Sequence, residues 1–306
     1  MFKLKKPEIY ASEIAEFINA KLFGLDFIVR EPAFISHIKE NTFSFLQSEE
    51  NINNINIPNE SLVICLSSLT LNLNCSYIFS KNPKLDFIRV INEFFVEIES
   101  YKISKSAIIH PNAIIAQNVS IGEHCVIGQD TVIGDNTQIL NNVVIGGRVE
   151  IGNNCIIKDN STIGSEGYEF VIDEDGLPIH YPHIGKIIIE NNVWIGSNST
   201  IESAAINDTL IMNHVKIDDL VQIGSGCTIE NGCMITAGSI LSQNVVIKKD
   251  SWLSPNVTII ENIIVGKNCV IGAGSVVLKD VAEHTIVVGN PARFLRNTKN
   301  NHNKKN

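Results

Sequence analysis

The chain has 306 residues, 44% of them hydrophobic, with 24 Lys and Arg against 33 Asp and Glu for a net charge of −9. That apolar content excludes a disordered chain and is enough for two domains. An acidic balance with no dense basic run excludes nucleic acid as the main partner, because such affinity rests on Lys and Arg neutralising phosphates.

The N-terminal stretch MFKLKKPEIYASEIAEF lacks the apolar region of a secretory signal, and no run of about 18 apolar residues follows it. A cytoplasmic protein without an integral membrane segment is therefore expected. Residues 1–100 read as a small α/β domain. Ser12 is placed to cap a helix running to Leu22, and Phe27–Val29 and Ser61–Leu66 read as strands. Asn82 followed by Pro83 marks a second helix start, with Leu85, Ile88, Ile91 and Phe95 at helical spacing. This helix is expected to lead into the second domain.

Beyond it the pattern changes. Cut every six residues from Ile109, the chain reads IHPNAI IAQNVS IGEHCV IGQDTV IGDNTQ ILNNVV IGGRVE IGNNCI IKDNST IGSEGY, with isoleucine opening every block. A period of six fits neither an amphipathic helix nor an alternating strand. It is the signature of a parallel β-helix, in which three short strands make one coil and identical positions stack on the next coil. The fifth position of each block holds a small or β-branched residue, from Ala113, Val119 and Cys125 to Ser161 and Gly167, as an interior strand with little room requires. After Lys186 the repeat resumes and runs to about Lys279, implying roughly eight coils and a fold that needs many coils to be stable.

Two irregularities interrupt it. Residues 168–186 form a loop too long for a turn, and long loops in compact domains usually carry function. From Ile201 the ladder steps to Ile206, Ile211 and Ile217, which reads as a pinched coil with five residues on two faces. Of seven cysteines, Cys125, Cys155, Cys227, Cys233 and Cys269 fall at the fifth position, so they read as small interior residues, not as a metal site or disulfides. Residues 101–288 are thus the β-helix domain with its insertion at 168–186. Residues 289–306 are a tail that starts as a tight turn and ends Asn- and Lys-rich, with its last residues expected to be disordered.

With those features in place the sequence resembles the UDP-3-O-(3-hydroxyacyl)glucosamine N-acyltransferase family of lipid A biosynthesis. FSFLQSEEN (residues 43–51) and NPKLDFIRVINEFF (82–95) look like the family's SFL-x-N-x-x-Y and NP-x-x-x-F segments. IGSEGYEF (163–170), HIGKIIIENNVWIGSNSTIESAAINDT (183–209) and VKIDDLVQIGSG (215–226) look like its DGFGF, Q-I-G-x-V-x-I with T-I-D-R-G-A-x-D-D-T, and K-I-D-N-x-x-Q-I-A-H-N. The pinched coil falls in the T-I-D-R-G stretch. The resemblance implies a mainly β protein, a left-handed parallel β-helix of hexapeptide repeats preceded by a small α/β domain that helps hold the nucleotide. Left-handedness comes from the resemblance, since ordinary crossovers are right-handed. It also implies a homotrimer with sites in the clefts between neighbours, and no permanently bound cofactor. The co-substrate would be an acyl carrier protein or coenzyme A thioester, and the acceptor the amine of a nucleotide-linked amino sugar.

The sequence departs from the family at its reactive centre. Ser225 stands where the family carries its general-base histidine, Asn262 where it carries a second histidine, and Asn51 where it places a uracil-side tyrosine. T-I-D-R-G becomes Thr200-Ile201-Glu202-Ser203-Ala204. A positioned base commonly supplies a factor of about 10² to 10⁴, so replacements were sought. Stepping back through the pinch places Asp208 beside Ser225, either as a site carboxylate or as a turn-closing residue. His214, three residues after Ile211, is either a base or a solvated turn histidine. Glu202 replaces the family's aspartate, as an orienting group or a surface carboxylate.

On the substrate side, the resemblance assigns contacts to Phe45, Ser48, Tyr168, His183 and Asn262. Phe45 matches the phenylalanine stacked on uracil and reads equally as a core aromatic. His180 and His183 lie in the interrupting loop, His183 at the family's glutamine. The thioester donor is assigned to Gly238, Gly274 and Arg293, the last in the Gly289-Asn290-Pro291-Ala292-Arg293 turn that closes many hexapeptide acyltransferases. Two functions remain from the sequence, an N-acyltransferase and a noncatalytic trimer that binds sugar nucleotides. A zinc hydratase finds no three-histidine pattern, and a nucleotidyltransferase finds no Gly-rich phosphate loop.

Overall fold

A computed structural model of the chain describes residues 2–5, 7–48, 56–69, 74–98 and 102–298. Asn51 and the end of the tail, residues 299–306, lie outside the described residues. The chain divides into two units, Met1–Ser100 and Tyr101–Asn306.

The first unit is built on a five-stranded sheet in the order Leu22–Phe23, Ser76–Phe79, Ser61–Cys65, Thr42–Leu46, Glu31–Pro32. Its central strand pairs parallel with both neighbours and is buried throughout, which is why SLVIC is apolar without alternation. The first helix, Ala11–Phe17, is shorter than expected and is capped at Tyr10. Ser12 instead turns its hydroxyl to Asp26 (2.8 Å), and Asn19, at φ 51°, ends the helical path before Leu22. The second helix starts as expected, with the Asn82 side chain accepting from the Leu85 amide (3.3 Å) and Pro83 in the first turn. It runs Pro83–Val90 and widens into a π-turn at Ile91–Phe95. Its buried face is Phe87 and Val90, whereas Leu85 and Ile88 are exposed, so the apolar spacing assigns the wrong side of the helix; the wider π-turn then brings Phe95 into the core.

The second unit is a parallel β-helix. One face stacks Ile109, Ile127, Ile145, Ile163, Ile201, Ile223, Leu241, Ile259 and Val277 in register. The second stacks Ile115, Ile133, Ile151, Ile189, Ile211, Ile229, Ile247 and Val265. The third runs from Ile121 through Ile195 and Ile217 to Ile271 and Val287. These side chains form one continuous core, nearly all of them closed to water from the second coil onward. Small polar residues at the fifth position fit inside because each donates to a carbonyl of the next coil: Thr131 to Gly146 (2.9 Å), Ser161 to Gly196 (2.7 Å), Cys227 to Ser242 (3.1 Å). Every sixth residue turns a corner with positive φ, a conformation that Asn, Asp and Gly tolerate best; Asn118, His124, Asp130 and Asn136 lie between 55° and 58°.

A regular coil takes 18 residues. The expected pinch is not present. Ile201 pairs with Ile223 and Ile189 with Ile211, so that coil spans 22 residues and its corner, near 204–208, is enlarged. Ile206, read as a ladder residue from its identity alone, is 65% exposed on that corner. The preceding coil spans 38 residues because the long insertion leaves from the same corner. Thr285–Val288 then pairs antiparallel with Arg293–Asn297, so Gly289–Arg293 is the expected tight turn.

Leu253→Ala, on the third face two coils beyond the enlarged corner, should cost about 2–5 kcal/mol by leaving an unfilled layer in the core, measurable as a lower urea midpoint. Burial pushes the Cys227 thiol up to about 12 and those of Cys65 and Cys75 up to about 11. Since the thiolate is the reactive form, these thiols should resist a disulfide exchange reagent at about pH 8 until the protein is denatured.

Candidate functional site

Both enlarged corners stack on one edge of the β-helix, and the site is built where they meet. Thr162–Glu166 leaves the ladder through a register shift at Gly164, and the chain projects as a hairpin of Phe170–Ile172 against Pro178–His180. The Asp173 carboxylate closes its tip by accepting from Asp175 N (3.0 Å) and Leu177 N (2.8 Å). On the return, Ile184 and Gly185 donate to the carbonyls of Ala205 and Ala204 (both 2.9 Å), so the enlarged corner of the next coil holds the insertion down. The Arg148 guanidinium grips the same segment through the carbonyls of His183 (3.1 Å) and Ile184.

That anchoring buries His183, which is 2% exposed. Its Nδ1 lies 2.9 Å from the Tyr181 carbonyl, an acceptor only, so Nδ1 carries a proton and Nε2 presents its lone pair when the ring is neutral. Nε2 is closed to water and has no hydrogen-bond partner. Gly167 reports what surrounds it: a methyl group there would lie 2.8 Å from His183 Nε2, 2.9 Å from Glu202 Oε2 and 3.0 Å from Ser225 Oγ. Three polar atoms from three successive coils therefore converge on one point. Glu202 is fixed from its other oxygen by Gln222 Nε2 (3.1 Å), and its carbonyl accepts from Thr209 Oγ1 (2.8 Å).

Above this cluster opens a cavity of about 240 Å³, lined by Tyr168, Glu202, Gln222, Gly224, Ser225, Ile240, Leu241, Ser242, Gln243 and Glu261. Tyr168, 91% exposed, stands at its mouth, and an aromatic row runs inward from it: Tyr168 to Phe170 (5.0 Å between centroids), Phe170 to His180 (5.4 Å), His180 to His183 (5.8 Å).

Glu202, Ser225, Tyr168 and His183 are thus brought together. Asp208 is not the ladder equivalent of Ser225, which is Ser203; it precedes Thr209, whose Oγ1 accepts from the Gly226 amide (3.0 Å), and its own carboxylate accepts from the Lys186 amide (3.0 Å) as a turn-closing residue. The misplacement follows from counting Ile206 as a ladder rung. His214 is an exposed corner residue with φ 62°, its amide donating to Asn191 O (3.0 Å). Asn262 is likewise an exposed corner, accepting from Asn244 Nδ2 (3.3 Å), while its neighbour Glu261 lines the cavity. Phe45 packs at 5.0 Å on Phe87 within the core of the first unit, and Ser48 is half-buried just past the end of that strand. Gly238 and Gly274 turn corners of another edge with φ 70° and 65°, with the Asn256 corner between them, and Arg293 lines a second cavity with Phe294 and Lys279. Sequence reasoning missed Gly167, Gln222, Gln243 and Glu261. A glycine at a fifth position, where the other blocks have a side chain, was the visible signal.

The bacterial transferase hexapeptide model (six repeats) matches residues 130–165, 208–243 and 244–279, and the model for the hexapeptide repeat of succinyl-transferase matches 186–208. The matched stretches, all within the β-helix unit, are hexapeptide repeats. Among its relatives, the UDP-3-O-acylglucosamine N-acyltransferase of Coxiella burnetii is 46% identical over 61 residues, 20% of this chain and 18% of that protein. The enzyme of that name from Francisella tularensis subsp. holarctica is 44% identical over 62 residues, again 20% and 18%. The matched stretch therefore spans under a fifth of those relatives' length. Among solved structures, LpxA of Bacteroides fragilis, a UDP-N-acetylglucosamine acyltransferase, superposes with a TM-score of 0.57 at 28% identity over 63% of this chain and 74% of that one. LpxA of Acinetobacter baumannii gives 0.57 at 26% identity over 63% and 73%. The hexapeptide-repeat unit has the left-handed parallel β-helix fold that the resemblance implies.

Gly167→Ala should leave the unfolding midpoint almost unchanged, because the atoms it meets are ends of side chains. It should nevertheless force His183, Glu202 and Ser225 apart, lowering turnover at this site by on the order of 100-fold; a thermal melt and a kinetic assay on the same sample check both halves.

Proposed function

We propose that the protein is an N-acyltransferase that moves an acyl group from an acyl thioester, on acyl carrier protein or coenzyme A, to the amine of a nucleotide-linked amino sugar, for lipid A or another surface polysaccharide. The observation that carries this is the cavity and its lining: two carboxylates, Glu202 and Glu261, with the amides of Gln222 and Gln243 and the hydroxyls of Ser225 and Ser242. Carboxylates attract a protonated amine, and amides and hydroxyls match the hydroxyl groups of a sugar. A thioester is already activated, so a protein that aligns it with an amine supplies much of the acceleration by positioning alone. The named activities of the relatives, acyl transfer to UDP-linked glucosamine derivatives, support the same reading.

Within this reading Tyr168 meets the nucleotide sugar at the cavity mouth. The thioester arm lies along the edge where Gly238 and Gly274 flank the Asn256 corner, with Arg293 toward its end. Exposed Ile108, Val126, Val144 and Ile240 on one flat face, and Ile114, Val132 and Ile264 on the next, are large apolar residues with no cover in the single chain. Packing of three copies would cover such faces, which favours a homotrimer.

Incubation with UDP- and dTDP-linked amino sugars and with acetyl, 3-hydroxybutyryl and long-chain 3-hydroxyacyl donors on both carriers should give an acylated sugar by mass spectrometry in at least one pairing. Binding of a nucleotide sugar without product from any pairing would instead establish the noncatalytic trimer. Light scattering should return three times the chain mass.

A further inference from the structure

We infer that His183 takes the place of a pocket histidine as proton acceptor, working through the Ser225 hydroxyl; the inference rests on the acyl-transfer reading above. His183 is the one side chain of the cluster with a basic lone pair and nothing to receive: Nδ1 is spent on the Tyr181 carbonyl, and Nε2 is buried and unpartnered. It is shut off from the cavity, whereas Ser225, only 6% exposed, both lines the cavity and stands with His183 Nε2 around the point marked by Gly167; the two atoms share no hydrogen bond in the unliganded chain, so the relay forms when the bound amine turns the Ser225 hydroxyl onto Nε2. A serine alone is too weak a base for an ammonium adduct. A serine hydroxyl that passes its own proton inward while taking one from outside is not.

The amine nitrogen attacks the thioester carbonyl to give a tetrahedral adduct with a positively charged nitrogen. That nitrogen loses a proton to Ser225 Oγ as the Ser225 proton moves to His183 Nε2. Collapse of the adduct breaks the carbon–sulfur bond, and the proton returns along the same path to the leaving thiolate, giving an amide and a thiol with His183 neutral again. Glu202 Oε2, on the third side of the same point, stabilises the transient imidazolium by its negative charge. The other polar groups facing the ring are His180, stacked at 5.8 Å and itself 3.6 Å from Glu166, and Arg148, which engages the His183 carbonyl and not the ring. The geometry also gives the insertion a role: its return segment, held by Ala204, Ala205 and Arg148, delivers the histidine to this point.

Two readouts test it. In kinetics, Ser225→Ala and His183→Gln should each lower kcat by about 10² to 10⁴, flatten the acid limb of the pH–rate profile, and give a double variant no slower than the slower single one, since removing either breaks the same path. Multiplying losses, a wild-type rate in Ser225→Ala, or an acyl group trapped on Ser225 would overturn it, the last because serine would then be the nucleophile. The second readout needs no turnover. In ¹⁵N-histidine-labelled protein saturated with the nucleotide amino sugar, His183 should show the Nδ1-protonated neutral ring, and its Nε2 resonance should move in Ser225→Ala and in Glu202→Gln, variants that leave the core intact. An unmoved Nε2 overturns the relay even if acyl transfer is confirmed. A moved Nε2 in a protein with no product leaves the relay standing and overturns the proposed function instead.

Discussion

Every other feature of the second unit depends on the stacking of backbone on backbone along three faces at once. A coil can join the stack only if its strands meet those above and below in register, so each coil must present an apolar residue at the same three points and close its corners in the same few residues. The interior tolerates no variation in length, and this directs all variation to the corners. A corner can grow from the regular length to the 22- or 38-residue coil without moving a single ladder pair on either side. The chemistry is accordingly found at a corner.

Stacking also explains how a site can be assembled from residues far apart in sequence without any long-range folding problem. Gly167, Glu202 and Ser225 belong to consecutive coils, and a neighbour in the stack lies one strand spacing away, about 4.8 Å. The insertion adds a fourth element, His183, whose position depends on the enlarged corner of the next coil and on Arg148 below it. The two irregular coils thus work as a pair: one supplies the loop, the other the surface on which the loop is fastened.

The interior of the β-helix was legible because period six fixes both the residue and the direction in which it points. Apolar identity misled only where the period itself slipped. Ile206 is an isoleucine five residues from a rung on either side, and composition does not distinguish a short face from an enlarged corner. From that one rung followed the placement of Asp208 beside Ser225. Glu202, Ser225 and Tyr168 were found because their motif positions do not depend on that count. His183 was visible as a loop histidine, but its burial arises from the backbone hydrogen bonds of Ile184 and Gly185 to the next coil and from the Arg148 guanidinium on its carbonyl, contacts whose partners are far apart in sequence. In the first unit, the Asn82–Pro83 start was readable from its local chemistry, but the buried side of the helix was not, because Leu85, Ile88 and Ile91 and the pair Phe87 and Val90 are both apolar sets at helical spacing.

The antiparallel strand Arg293–Asn297 has a further consequence. A stack of parallel coils is open-ended by construction, and a flat exposed edge is a template on which another chain can continue the same ladder. Here the third face ends in a strand of reversed direction, exposed along its length and bearing Arg293 and Arg296. An incoming coil would need parallel edges on all three faces together and meets a reversed, positively charged one on the third. The turn that closes the repeat therefore also caps growth, so a protein made of stackable units has a defined end instead of seeding a fibre.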